Sequence, residues 1–183
     1  MDFLQLAENL VKKSQSLGAD SSEVFLETSR NLSVNVLNSE IETIEEASSQ
    51  GAGFRVFVGG RMGFSHCNDF SEKSLEESIK RAIAFAKLSS PDENNVLTSD
   101  KSVAAVAELF DAGFSGIPMD RKINLAMELE KLAMKDSRIT KSSGAGYGES
   151  ESEVFIANSN GVLKSYKASG CSLGVSVVAE KGD

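Results

Sequence analysis

Residues 53–64 read Gly53-Phe54-Arg55-Val56-Phe57-Val58-Gly59-Gly60-Arg61-Met62-Gly63-Phe64. Two apolar runs flank a glycine pair, and a two-residue hairpin loop that needs positive φ favours glycine at that place. The stretch therefore predicts a β-hairpin that turns at Gly59 and Gly60.

Helices are predicted on both sides of this strand-rich region. Apolar residues recur at three- and four-residue spacing from Asp2 to Leu17, where Asp2 and Gln5 form a capping pair. Ser71 can cap a second helix, which Ser89-Ser90-Pro91 ends. Between the two helices, three short segments with partial period-two alternation predict separate strands of an antiparallel meander: Val24–Leu26, Leu32–Val36 and Ile41–Glu46.

The next part of the chain reads as a connection and a second unit. Residues 91–118 have the composition of a linker packed on the surface, with one short apolar stretch from Val103 to Phe110. Apolar residues spread so widely over Asp120 to Lys135 that we predict a largely buried helix. Four segments then predict strands, with Asn158-Ser159-Asn160-Gly161 as a strong turn: Ile139–Tyr147, Glu153–Ala157, Val162–Tyr166 and Cys171–Glu180.

The predicted fold class is α+β, with two helix-plus-antiparallel-sheet units at residues 1–90 and 119–183 and a linker at 91–118. The strand-turn-strand pattern occurs in both units, but the copy that begins at Val154 lacks the return strand and helix of the first. We therefore expect the second unit to be truncated at the C-terminus. The chain would then be a piece of a longer protein whose chemistry lies beyond Asp183.

Composition limits the classes of function. The chain has 183 residues, 40% of them apolar, and a formal charge of -8 without a Lys/Arg cluster, so direct nucleic-acid binding is disfavoured. Cys67 and Cys171 are the only cysteines and form no Cys-x-x-Cys pair, and the start lacks a basic, apolar leader. No run approaches the roughly 18 apolar residues of a membrane span. We expect a cytoplasmic protein that binds no membrane.

The single histidine, His66, could be read as a zinc ligand or as part of a catalytic triad. His66 lies beside Cys67 and near Asp69, and these residue types can ligate zinc. Neighbours on one strand point to opposite faces, however, so a structural role is the stronger interpretation. A triad of Ser65 or Ser71 with His66 and Asp69 can be written down, but no nucleophile-elbow sequence accompanies it and chance explains the grouping.

Other candidate sites have simpler structural explanations. The glycines at Gly51/Gly53 and Gly144/Gly146/Gly148 do not lead from a strand into a helix with the spacing of a phosphate-binding loop, so bulges or close backbone approaches are expected. Glu40, Glu42, Glu45 and Glu46 could attract a hard cation, but an alternating strand splits them between two faces and predicts a solvated surface. Cys171, in an alternating apolar run, is expected to be a small buried residue.

Several stretches resemble the opening region of TldD/PmbA proteins: Gly18-Ala19-Asp20, Glu23-Val24, Gly51–Val56 and Gly60–Phe64. After the linker, three more resemble the family's second segment and are closer to its PmbA (TldE) branch: Asp136–Ile139, Ala157–Gly161 and Ser176–Asp183. The resemblance covers essentially the whole chain and is distributed, without a catalytic signature.

This resemblance implies a cytoplasmic metallopeptidase system in which a TldD-like and a PmbA-like subunit associate. Such systems process peptide precursors and degrade an unfolded antitoxin, and older descriptions call the protein a modulator of DNA gyrase. The TldD branch holds its metal with a His-Glu-x-x-x-His helix in the later part of the chain, and no such motif occurs here. Zinc would therefore belong to the full-length complex, and we assign no catalytic, cofactor-binding or metal residue in this chain.

The resulting hypothesis is an N-terminal scaffold and substrate-handling portion of a TldD/PmbA-type metallopeptidase subunit, inactive by itself and from the branch that can be non-catalytic. We expect it to receive an unfolded or extended peptide on an exposed strand at Ser142–Glu153 through main-chain hydrogen bonds. The alternative is a non-enzymatic peptide-binding or subunit-assembly module. A self-sufficient hydrolase that uses His66 is the third and weakest interpretation.

Overall fold

The computed structural model of the chain describes residues 2–102, 106–113 and 116–181. Its elements are, in chain order, α1 (Phe3–Ser16), β1 (Ser21–Leu37), β2 (Glu40–Val58), β3 (Arg61–Cys67), α2 (Glu72–Leu88), α3 (Met119–Ala133), β4 (Ile139–Asn158) and β5 (Leu163–Ala179). The strands form one five-stranded sheet in the order β3-β2-β1-β4-β5. The predicted α+β class is confirmed. No helix within the described ranges is long and apolar enough to cross a membrane.

By its internal contacts the chain divides into two compact units, each assembled from three segments. The first comprises Met1–Thr28, Ser49–Ala107 and Glu153–Lys167, and the second comprises Ser29–Ser48, Glu108–Ser152 and Ala168–Asp183. Strands β1, β2, β4 and β5 each contribute residues to both units. The sequence predicts a linker at 91–118 between two units, which differs from this division and stays a prediction. Two residues named in the sequence predictions, Val103 in that linker and Asp183, lie outside the described residues.

The strands are longer and fewer than the sequence predicts. The three predicted segments before the hairpin were wrong as separate strands, because β1 and β2 run continuously through their Ser, Asn and Arg residues. The chain reverses between them only at Asn38 and Ser39, which have φ values of 54° and 61°. The four strands predicted after α3 likewise merge into β4 and β5. Polar residues inside a strand therefore gave false boundaries, since they can occupy its exposed positions.

The first unit follows the local signals in its sequence. Asp2 accepts a hydrogen bond from the Gln5 N–H at the start of α1, and Ser71 accepts one from the Ser74 N–H at the start of α2. The hairpin turns at Gly59 and Gly60 with positive φ, and it pairs β2 with β3 from Ala52↔Cys67 to Val58↔Arg61. The fully buried core side chains of this unit include Val24, Leu26, Phe54, Val56, Ile79 and Ala82.

The second unit has a small apolar core, formed by Val34, Val36, Ala126, Ala145 and Tyr147. The prediction that α3 is largely buried was wrong, because its buried residues are only Lys122, Ala126 and Glu130, and Leu132 is 59% exposed. The three buried residues are spaced by four, so the helix contacts its surroundings along one stripe. Two of the three are charged, which makes this stripe the most unusual feature of the unit.

Candidate functional site

The residues around His66 do not assemble into a catalytic or metal-binding group. His66 stacks against Phe64, with ring centroids 6.4 Å apart. The Asp69 carboxylate accepts hydrogen bonds from the Ser71 hydroxyl (2.7 Å) and N–H (2.9 Å), which lower the pKa of Asp69. Ser65 donates to the Ser78 carbonyl oxygen of α2. These serines and this carboxylate therefore serve the start and the packing of α2.

The glycine and acidic stretches also have structural explanations. Gly144 has a positive φ of 107°, which favours glycine, and a Cβ on Gly146 would lie 3.0 Å from the Asn35 Oδ1 atom. The glutamates between 40 and 46 are all exposed, and Glu46 forms an ion pair with Arg30 at 2.7 Å. The expectation that Cys171 is buried was wrong, since this thiol lies exposed on β5, an edge strand of the sheet.

An ion pair buried beneath α3 is the first of two polar clusters in the second unit. The Lys122 Nζ atom lies 2.7 Å from the Glu149 carboxylate, and both side chains are almost fully buried, with exposed fractions of 5% and 6%. The Tyr147 hydroxyl donates to the same carboxylate at 2.9 Å. Burial, together with this hydrogen bond, raises the pKa of Tyr147. The phenol therefore stays protonated and donates, and the pair anchors α3 to β4.

Glu130, two turns further along α3, forms the second cluster. Its carboxylate accepts hydrogen bonds from the Ser142 hydroxyl (2.5 Å) and from the N–H groups of Asn38 (3.1 Å) and Ser39 (2.7 Å). The turn between β1 and β2 is thus held by an acid from α3. The Ser142 hydrogen bond, followed by those from the turn, lowers the pKa of Glu130 against the opposing effect of burial.

The Glu130 cluster predicts a pH-dependent stability difference. Glu130→Gln is expected to lower the unfolding free energy by about 2 kcal/mol at pH 7, because an amide oxygen is a weaker acceptor than a carboxylate. A carboxylate whose pKa is lower in the folded state stabilises the fold at pH values above its unfolded-state pKa. This contribution is lost as the pH falls through the folded-state pKa. The gap between wild type and variant should therefore shrink below the ordinary glutamate value of 4.5.

Urea unfolding between pH 3 and 7 measures this gap, and the exposed Glu128 on the same helix provides the matched control, Glu128→Gln. The control should track wild type at every pH. A gap for Glu130→Gln that stays constant across this range would contradict the assignment of the stabilising charge to Glu130.

The outer edge of β5 is the surface with chemistry suited to a peptide. β5 ends the sheet, so β4 pairs with one side of it. The Glu180 N–H donates to the Arg138 carbonyl oxygen on the β4 side, whereas the Ser169 N–H donates outward, to Leu109. Because strand backbones alternate with a period of two, the N–H and C=O groups of Cys171, Leu173, Val175 and Val177 also point outward. Within the described ranges these groups have no strand beside them.

The same part of the sheet carries grooves that are lined in part by small residues. One groove of about 530 Å³ touches four strands and includes Ser33, Gly148 and Ser172, and another of about 370 Å³ includes Gly146 and Gly174. Small side chains let another backbone approach the sheet closely. The arrangement can bind an extended chain.

The peptide location predicted from the sequence was wrong. The stretch from Ser142 to Glu153 lies within β4, and β4 sits between β1 and β5 in the sheet. Both of its edges therefore face neighbouring strands, which leaves no free edge for an added strand. Among the described strands, β3 and β5 are the edge strands, and the edge in the second unit is that of β5.

A metal site needs several ligating side chains close together. No group of three or more His, Cys, Asp or Glu side chains close enough to hold a metal ion occurs among the described residues. The part of the chain that the structure describes therefore does not fit the zinc of a metallopeptidase. The polar clusters of α3 were not predicted from the sequence. The available signal was that Lys122 and Glu130, eight residues apart, interrupt an apolar stripe.

Comparison with known proteins gives two matches to models of one family. The model described as PmbA/TldA metallopeptidase domain 1 matches residues 22–86, and the one described as PmbA/TldA metallopeptidase central domain matches residues 112–183.

Curated relatives match nearly the whole chain. A metalloprotease PmbA homolog of Haemophilus influenzae is 33% identical over 182 residues, which are 97% of this chain and 40% of the relative. Metalloprotease PmbA of Escherichia coli O157:H7 is 27% identical over 165 residues, covering 89% of this chain and 37% of that protein. The chain thus spans 40% or less of the length of these two relatives.

Solved structures share the fold. A Bacteroides thetaiotaomicron protein, described as "a putative modulator of DNA gyrase", superposes with a TM-score of 0.88 at 27% identity, over 98% of this chain and 42% of that one. TldE from Thermococcus kodakarensis superposes with a TM-score of 0.78 at 22% identity, over 96% and 39%. At 22% identity, the similarity to TldE shows only that the two chains share a fold.

Proposed function

The chain belongs to the PmbA/TldD metallopeptidase family, and from this premise we propose that it is the N-terminal, substrate-handling portion of a metallopeptidase subunit. In this proposal it receives an unfolded or extended peptide along the outer edge of β5. The single observation that carries the proposal is the row of outward-facing backbone groups from Cys171 to Val177 on the last strand of the sheet.

Strand addition suits a peptidase that selects unfolded chains. The donors and acceptors of a free edge bind any backbone that is extended and unpaired, so recognition depends little on sequence. A folded segment has already satisfied its own backbone groups and gains nothing at the edge. Substrate selection would therefore follow from the state of the peptide chain.

This chain does not fill the catalytic roles itself. It contributes no catalytic or metal-binding residue, and the peptidase metal is held elsewhere in a cytoplasmic complex with a TldD-like or PmbA-like partner subunit. Maturation of peptide precursors is the proposed process. The charge of -8 favours an indirect connection to DNA gyrase over nucleic-acid binding.

A proline placed on the β5 edge tests the peptide site. The Leu173 N–H points outward, so Leu173→Pro removes a donor to the peptide while the bonds between β5 and β4 remain. We expect binding at least tenfold weaker than wild type, measured by fluorescence anisotropy with a labelled eight-residue peptide of alternating valine and threonine. The matched control is Leu173→Ala, which keeps the N–H and should bind within about twofold of wild type, as expected where main-chain bonds dominate.

Equal affinity of the proline and alanine variants would refute the edge as the peptide site. The same peptide with every amide N-methylated should bind neither wild type nor the alanine variant, because it has no N–H left to donate from either of its edges.

A subunit-assembly module is the second candidate, favoured by an apolar surface on the first unit. Phe64 is 54% exposed on β3, Met62 on the same face is 39% exposed, and Phe25 of β1 is also 39% exposed. Exposed aromatic side chains are typical anchors of protein interfaces. An assembly module without a peptide function would bind the labelled peptide neither as wild type nor as either Leu173 variant.

A further inference from the structure

A short segment of the chain already lies against one end of the proposed peptide edge. The Ser169 N–H donates to the Leu109 carbonyl oxygen at 3.0 Å, and the Asp111 N–H donates to the Ser169 hydroxyl at 2.9 Å. The first of these contacts is a main-chain bond of the kind that an added strand makes with an edge. We call residues Glu108–Asp111 the strap.

The strap is held in a way that allows it to leave. Leu109 and Phe110 are 37% and 41% exposed, so both side chains reach solvent while the strap is bound. Glu108 has a φ of 60°, a left-handed conformation that disfavours residues with a Cβ. Asp111 keeps a local hydrogen bond, since its carboxylate accepts from the Gly113 N–H at 2.8 Å. Release would break the two hydrogen bonds with Ser169 and relieve the strained backbone of Glu108.

The strap and the peptide need the same backbone group. Ser169 is the first outward-facing residue of the β5 edge in the second unit, and Cys171, Leu173, Val175 and Val177 follow it at intervals of two. A peptide long enough to pair with the whole edge requires the Ser169 N–H that now binds Leu109. Such a peptide must displace the strap.

We propose that the strap is an intramolecular competitor that occupies the Ser169 end of the β5 edge until an extended peptide displaces it. This inference rests on the proposed function, and it adds regulation to the same site. The affinity for a peptide is then set by the difference between the peptide's contacts and the strap's own.

Two substitutions should move peptide affinity in opposite directions. Ser169→Ala removes the hydroxyl that holds Asp111 but keeps the N–H that a peptide uses, so we expect about fivefold tighter binding, the equivalent of one hydrogen bond. Glu108→Gly removes the strain that favours release, so the strap should compete better and weaken binding by about fivefold. Ser165→Ala, at an exposed position on the same strand, is the matched control and should bind like wild type.

The probe is the valine-threonine peptide, titrated against the protein at its natural length, with thermal unfolding to verify that each variant folds. Hydrogen exchange adds a direct observation, since the Asp111 amide should exchange faster when peptide is bound. The proposed competition is supported if Ser169→Ala binds the peptide more tightly and Glu108→Gly binds it more weakly. It is also supported if Ser169→Ala is the only variant that binds the peptide. Equal affinity of all variants overturns the strap and leaves the peptide site intact. Absence of binding in every variant, Ser169→Ala included, overturns both proposals.

Discussion

Replacing Lys122 with alanine is expected to lower the unfolding free energy by about 3–5 kcal/mol, the usual effect of removing one partner from a buried ion pair. The Glu149 carboxylate would remain buried at 6% exposure with the Tyr147 hydroxyl as its remaining partner. A buried charge without a counter-ion has a large desolvation penalty, and this penalty exceeds the effect of the lost side-chain packing. Urea unfolding followed by circular dichroism measures the change.

A double variant separates the loss of the partner from the value of the pair itself. Lys122→Met combined with Glu149→Gln removes both charges, and the glutamine oxygen can still accept the Tyr147 hydrogen bond. The double variant should recover stability to within about 1–2 kcal/mol of wild type, since apolar or neutral replacement of a buried pair is often nearly neutral. Lys131→Ala, an exposed position on the same helix, is the control and should change stability by less than about 0.5 kcal/mol.

The ion pair would be misassigned if the Lys122 and Lys131 variants were equally stable. A double variant as unstable as Lys122→Ala would instead show that the helix depends on the charges themselves. The double variant recovers stability only if the unpaired Glu149 charge is what destabilises Lys122→Ala.

The parts of the fold that the sequence predicts are those decided by neighbouring residues. Asp2 and Ser71 cap helices through bonds to residues three positions along, and Gly59-Gly60 turns a hairpin because both residues need positive φ. Each signal is contained within a few residues, so tertiary contacts have little opportunity to override it.

The polar clusters and the sheet edge depend on contacts between distant residues. Lys122 meets Glu149 across 27 positions, and Glu130 meets Ser39 across 91. The position of Ser142–Glu153 between two strands follows from the strand order, which local alternation does not encode. Periodicity thus identified strands near the candidate site, but it could not say which of them has a free edge.

Gly63→Ala is expected to destabilise the protein by about 3 kcal/mol or more, at or above the upper end for overpacking. Gly63 lies on β3 directly against α2, where an added Cβ would be 1.9 Å from the Ala82 carbonyl oxygen and 2.4 Å from the Ala86 nitrogen. Both are backbone atoms, so no side-chain rotation can relieve the overlap. The helix would have to move away from β3, which would disturb the packing of Ile79, Ala82 and Ala86 in the core.

Gly174→Ala is the matched control for this prediction. Gly174 also lies within a strand, but it has no positive φ and no atom within 4 Å of an added Cβ. Its substitution should be neutral or stabilise by up to about 1 kcal/mol, because alanine reduces the freedom of the unfolded chain. A Gly63 variant as stable as the Gly174 variant would place α2 further from β3 than described. A Gly63 variant much less stable than the Gly174 variant would show that residues 53–64 determine the fold in two ways. They turn the chain at Gly59-Gly60, and they place Gly63 directly against α2.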